Sequence, residues 1–149
     1  MSSIRINKMR QQDGFTLVEL AVVIIIIGVL AAFAVPRFRD SVERSKASEA
    51  FNYLSSVRAA QERYHARQST YAGDAANLDI KLGAPKYFAV GTIEPGATGS
   101  LEDSWSLTLT RSGASAGYGE YTIVFTESGY DADNSTIATL DSINPMGTG

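Results

Sequence analysis

An α+β fold, one long N-terminal helix packed against a small antiparallel sheet, is what this sequence predicts, and three patterns carry the prediction. From Leu20 to Val35, sixteen successive residues carry no charge. After Pro36, apolar residues recur at spacings of three, four and seven, the period of a surface helix. Beyond residue 86, short runs alternate apolar and polar residues between Gly- and Pro-containing segments, the period of half-buried strands.

The first element is the apolar segment. Phe15 to Val35 is 21 residues, close to the roughly 20 that span a bilayer core. Glu19 sits near its start, and an acid in hydrocarbon costs about 2.5 to 3.5 kcal/mol on insertion scales, which makes it a functional-site candidate in search of a partner. Ahead of it, residues 1–14 carry Arg5, Lys8 and Arg10 against Asp13, a basic leader laid out like an export signal. No small-residue cleavage site follows the apolar run. The small residue at a junction is Gly14, on the leader side, and a cut there gives Phe15 a free α-amine four residues from Glu19.

Gly14-Phe15-Thr16-Leu17-Val18-Glu19-Leu20, followed by Gly28 and Pro36 within a long apolar helix, resembles the prepilin signature shared by type IV pilins and the pseudopilins of type II secretion systems. The resemblance is strong over residues 8–38 and weak beyond. It implies the pilin fold, cleavage between Gly14 and Phe15 by a prepilin peptidase, and methylation of the new amine on Phe15. It also implies polymerisation with identical subunits, in which the carboxylate matching Glu19 pairs with a neighbour's N-terminal amine. Its other implied partners are the membrane before assembly, an inner-membrane assembly platform and that platform's ATPase.

Plainer readings compete for the same residues. Thr16 and Glu19 fit a capping box, in which hydroxyl and carboxylate satisfy the first helix amides, and an acid in the first turn suits the helix dipole. A simple membrane anchor is a further reading. Charge does not orient it, because Arg37, Arg39, Arg44 and Lys46 follow the segment. Arg37 and Arg39 read either as bridges to acids on neighbours or as solvated, headgroup-facing cations.

Pro36 removes a helix hydrogen bond and should kink or open the helix, and Gly28 adds a weak point of about 1 kcal/mol relative to alanine. In the family, the stretch between the matching positions can lose helical structure in the filament. Ordinary tolerance of Gly and Pro in membrane helices is the alternative. The organisation expected is therefore a leader over 1–14, an assembly helix over 15–36, and a globular domain over 37–149. Within that domain an amphipathic helix runs over 37–67, with Ala47, Ala50, Phe51, Leu54, Val57 and Tyr64 on its packing face. A connecting loop with one short turn occupies 68–86.

Three strand candidates follow within a sheet spanning 87–140: Tyr87 to Ile93, Trp105 to Thr110, and Tyr121 to Thr126. In the second, Trp105, Leu107 and Leu109 share a face, and in the third Tyr121, Ile123 and Phe125 do. Gly113 to Gly119 fits a hairpin loop, and Ile137 to Leu140 is expected as a fourth, edge strand before a C-terminal tail.

The chain holds 13 basic and 16 acidic side chains, and loss of the leader leaves 10 against 15 over 135 residues. That balance argues against a general nucleic-acid-binding surface, which needs clustered Lys and Arg; a minor basic patch for DNA uptake stays open. With no cysteine, neither a disulfide, a thiolate metal site nor a Cys-His set can form; the one histidine rules out multi-His metal and catalytic patterns, and no enzymatic function is expected. His65 reads as a solvated or partly packed surface residue. No cofactor is expected, save that Glu127, Asp131, Asp133 and Asn134 supply oxygen ligands of the kind calcium takes. Their spacing lacks the Gly and terminal Glu of an EF-hand, and such clusters more often build turns.

The resemblance thus implies a filament subunit: a type IV pilin serving adhesion, twitching motility or DNA uptake, held in the inner membrane as a precursor and then displayed in a cell-surface pilus. The alternative is a pseudopilin in a short periplasmic filament for protein export. Missing cysteines lean towards the pseudopilin, whereas the Asp-Pro-Trp-Gly-like motif of major pseudopilins has only a faint echo in Asp103-Ser104-Trp105.

Overall fold

A computed structural model describes residues 14–113 and 117–147. All of the leader expected over residues 1–14 except Gly14, and the centre of the expected hairpin loop, 114–116, lie outside the described residues. Helix α1 spans Leu17–Gln68 and starts two residues later than the apolar run, because Thr16 caps it. Its assignment continues through Gly28 and Pro36, although Pro36 has no N–H to offer the carbonyl of Ala32. Ser69, at φ 57°, adopts the left-handed conformation that commonly follows a helix's last turn.

The chain divides between Pro36 and Arg37 into two units. In the first, every large apolar side chain from Phe15 to Val35 is between 47% and 86% exposed, and this stretch is long and apolar enough to cross a membrane.

In the second unit, the packing face of α1 buries Ala47, Ala50, Phe51, Leu54 and Val57, with Tyr64 partly covered. Opposite it stands a four-stranded antiparallel sheet in the order β1-β2-β3-β4. The strands are β1 (Phe88–Pro95), β2 (Trp105–Arg111), β3 (Thr122–Thr126) and β4 (Gly129–Asp131). Strand β2 shows the alternation plainly: Trp105, Leu107, Leu109 and Arg111 are buried while Ser106, Thr108 and Thr110 are half-buried on the other face. Ile123 and Phe125 from β3, with Tyr121 just before it, complete the sheet's side of the core. Strand β1 runs further than its apolar residues suggest, through a register shift between Val90 and Ile93. Gly91 lies within that bulge, where a Cβ would come 2.8 Å from the Thr108 carbonyl oxygen, so only glycine lets the strands close there.

In the connecting loop the short turn is a 3₁₀ helix, Ala75–Asn77, whose Asp74 side chain accepts from the Ala76 amide at 2.9 Å. The loop is fastened by Gln61, fully buried on α1. Its amide nitrogen donates to the Ala72 carbonyl and its amide oxygen accepts from the Ala72 N–H, both at 2.8 Å, so one side chain satisfies a buried peptide group as a strand would.

The fourth strand is not where the sequence reading puts it. Thr136–Thr139, with Leu140 as its C-cap, forms a 3₁₀ turn, and the edge strand is instead β4, inside the acidic stretch. Side-chain hydroxyls explain the difference. Ser135 Oγ accepts from the Val124 N–H at 2.8 Å and Thr136 Oγ1 from the Thr122 N–H at 2.7 Å. These hydroxyls take the place of a strand backbone along β3, leaving the chain free to turn and plug Ile137 and Ile143 into the core.

Candidate functional site: the first turn of the apolar helix

The first turn of α1 forms a reciprocal capping box. Glu19 N–H donates to Thr16 Oγ1 at 3.1 Å, and Glu19 Oε2 accepts from the Thr16 N–H and from Thr16 Oγ1, both at 3.2 Å. The Thr16 carbonyl accepts the first helical bond, from the Leu20 N–H at 3.2 Å. The sequence supplies each part: a hydroxyl with extended-chain preference at the cap and an acid three residues on, where helix amides and dipole favour a negative charge.

This accounts for half of the carboxylate. Oε1 has no partner among the described residues, and no salt bridge there involves Glu19. The group is thus oriented by its own helix and left electrically unmatched at the edge of a greasy segment. Gly14 and Phe15 precede it, exposed and outside regular structure. Neither Gly14 nor Gly28 is required by packing among the described residues, where a Cβ at either meets nothing within 4 Å.

The other sequence candidates are dispersed. Arg37 and Arg39 are exposed. The His65 ring, half-buried, stacks on Tyr71 with centroids 4.4 Å apart, and its Nε2 lies 3.0 Å from the Glu102 carbonyl oxygen. In the acidic stretch, Asp131 accepts from the Asn134 amide and side-chain nitrogen at 3.2 and 2.7 Å, and Glu127 Oε2 accepts from the Trp105 N–H at 3.3 Å. These are turn and strand contacts, and no cluster of three or more His, Cys, Asp or Glu suited to a metal occurs among the described residues.

A buried polar cluster in the second unit escapes the sequence reading. Glu43, fully buried on α1, accepts from Arg111 Nε at 2.5 Å and Nη2 at 3.3 Å, from Tyr121 Oη at 3.0 Å, and from Lys46 Nζ at 3.1 Å. Arg111 also donates to the Tyr87 carbonyl and lies over the Tyr87 ring. Burial alone raises the Glu43 pKa, but the bonds from Arg111, Lys46 and Tyr121 outweigh it and hold the carboxyl below its ordinary 4.5. Burial, then the Glu43 charge, pushes the Tyr121 hydroxyl well up from 10.0. A signal existed for these residues. Glu43 lies four before Ala47 on the packing face, and Arg111 continues the inward alternation of β2.

The pattern of the prokaryotic N-terminal methylation motif matches residues 9–35, the segment that contains the capping box. The chain is 45% identical over 69 residues to the fimbrial protein EcpC of Eikenella corrodens, covering 46% of this chain and 45% of that one. It is 32% identical over 93 residues to the type IV major fimbrial protein FimA of Dichelobacter nodosus, covering 62% and 58%. The chain thus carries the N-terminal methylation motif and is similar to type IV fimbrial proteins. The chain spans about half the length of the curated relatives it matches, and a fimbrial protein of Moraxella nonliquefaciens, 56% identical over 43 residues, covers only 29% of it. In the second unit, the helix on a four-stranded antiparallel sheet is an α+β, pilin-like architecture.

Proposed function

We propose that this protein is a structural subunit of a type IV pilus filament, cleaved after Gly14, N-methylated at Phe15, and polymerising through its apolar helix. The observation that carries the reading is the state of that helix: its large side chains are exposed from Phe15 to Val35, and its first turn holds a carboxylate with no cation partner among the described residues. An apolar surface of that extent marks an interaction site, which the membrane covers first and other copies of the helix cover later.

Cleavage turns the Phe15 amide into a cation. Within a bundle of such helices, the amine of one subunit neutralises Glu19 of another where an unmatched charge is costly, so the pair fixes subunit register. The capping box holds Glu19 in place for that contact. A Cβ at Gly28 meets nothing within 4 Å among the described residues, and Pro36 leaves a helix bond missing, which suits local opening of the helix in the filament. The precursor resides in the inner membrane, served by a prepilin peptidase, an assembly platform and its ATPase, and the product is a cell-surface fibre. The matching relatives are named fimbrial proteins, which favours an extracellular fibre over a periplasmic pseudopilus.

Mass spectrometry of sheared surface fibres tests this, together with two variants. Fibres should contain a chain beginning at methylated Phe15. Gly14→Val should accumulate uncut, and Glu19→Ala should be cut and membrane-bound yet enter fibres at less than a tenth of the normal level. Normal fibres from Glu19→Ala would remove the docking role, and impaired protein export without surface fibres would assign the chain to a pseudopilus.

A further inference from the structure

We infer that the outer face of the sheet, turned away from α1, carries a binding site for a neutral hydroxyl-rich ligand, a saccharide. This goes beyond filament formation and does not depend on it. A cleft of about 620 Å³ lies over the β2–β3 pair. Pro95 and Ala97 flank it on the β1 side, Glu127 and Asn134 on the β4 side, and Ser106 and Thr108 lie on its β2 floor.

The register makes the floor an ordered lattice. Ser106 stands opposite Thr126 and Thr108 opposite Val124. Facing positions in such a pair lie about 4.5 to 5.5 Å apart and alternate positions on a strand just under about 7 Å apart, spacings that one or two sugar rings span. Several sheet hydroxyls are already engaged: Thr122 with Thr136, and Thr126 with the Ser128 amide. The half-buried hydroxyls of Ser106 and Thr108 have no partner among the described residues, and each offers one donor and two acceptor sites.

The flanking groups are held while keeping capacity free. Glu127 Oε2 is fixed by the Trp105 N–H, leaving Oε1 open, and Asn134 is fixed through its side-chain nitrogen to Asp131, leaving its carbonyl oxygen open. Such preorganisation limits the entropy lost on binding. Ligand class follows from the lining. It holds no Lys, Arg or His, and the Glu127 carboxylate would repel an anion. Both Asp131 side-chain oxygens are engaged by Asn134, so the acidic groups are poorly placed to collect around a cation. Pro95, Ala97 and buried Val124 offer apolar patches to the C–H faces of a ring, and the remaining groups exchange hydrogen bonds with its hydroxyls.

The test is an amide chemical-shift titration of the isotope-labelled full chain in detergent micelles, with methyl α-mannoside, methyl β-galactoside and methyl β-N-acetylglucosaminide taken to tens of millimolar. At least one glycoside should give saturable shifts centred on Thr108, Thr126 and Asn134. Thr108→Val, which keeps the shape and strand preference of the residue, should weaken that binding at least tenfold, with the rest of the spectrum unchanged. Inorganic phosphate should give no shifts at these positions. The inference is overturned if no glycoside shifts them, if Thr108→Val binds as well as the parent, or if calcium chloride alone does so.

Discussion

The two ends of α1 solve the same problem in opposite ways. From Phe15 to Val35 the helix is apolar all round and its large side chains are open; from Glu43 to Gln61 it is amphipathic and its stripe is sealed by the sheet. A helix that is hydrophobic on every side finds its partner in lipid or in other protein, whereas a one-sided helix finds it within its own domain. The polar groups follow the same division. Glu43 is matched by two cations and one hydroxyl from its own chain, while Glu19 is oriented by its own helix and matched by no cation among the described residues. The contrast separates the second unit, whose apolar stripe is covered within one chain, from the first, whose apolar surface stays open among the described residues; the proposed function has other copies cover it.

The largest expected effect lies in the sealed end. Arg111→Met leaves the Glu43 carboxylate buried beside only Lys46 and Tyr121, and breaking a buried pair in this way costs about 3 to 5 kcal/mol. Denaturant unfolding of the second unit should show that loss, and adding Glu43→Leu should recover much of it, since the orphaned charge is then gone. The same cluster sets the pH limits. Glu43 titrates below 4.5 when folded, so its contribution is present above that pH and fades as pH falls through the lower folded value; Tyr121 titrates above 10.0 when folded, so its contribution fades as pH rises past that point. A melting temperature that stayed level on acidification through that range would contradict the role given to Glu43.

Next in size, Gln61→Ala removes both partners of the buried Ala72 peptide group, and about 1 to 3 kcal/mol should be lost for the unsatisfied groups. Hydrogen exchange would show the Ala72 amide opening first. The smallest effect belongs to the open end: Thr16→Ala removes the cap, worth about 1 kcal/mol. It should fray the first turn of α1 in micelles while the unfolding of the second unit stays unchanged. Should Thr16→Ala destabilise the sheet, the separation of the two ends would fail.

Much of this was legible in residue order. Periods of 3.6 and 2 placed α1, β1, β2 and β3 within a few residues because each element buries one face, and the capping box was readable from Thr-x-x-Glu alone. The edge strand was not. Ile137 to Leu140 has the composition of a strand, but the hydroxyls of Ser135 and Thr136 supply the pairing of β3 from outside any strand, a tertiary contact invisible in local pattern. The charged cluster was hidden for a related reason. Glu43 and Arg111 occupy inward positions of their own elements, yet each becomes tolerable there only because the other lies across the core, 68 residues away.

The hydroxyls that stand in for a strand beside β3 have one more consequence. They close the C-terminal stretch through contacts that form and break reversibly, with no sulfur atoms involved. The shape of the second unit should therefore be indifferent to the redox potential of its surroundings: a thiol reductant should leave its melting curve where it was, and it can reach its final form on either side of a membrane without an oxidant.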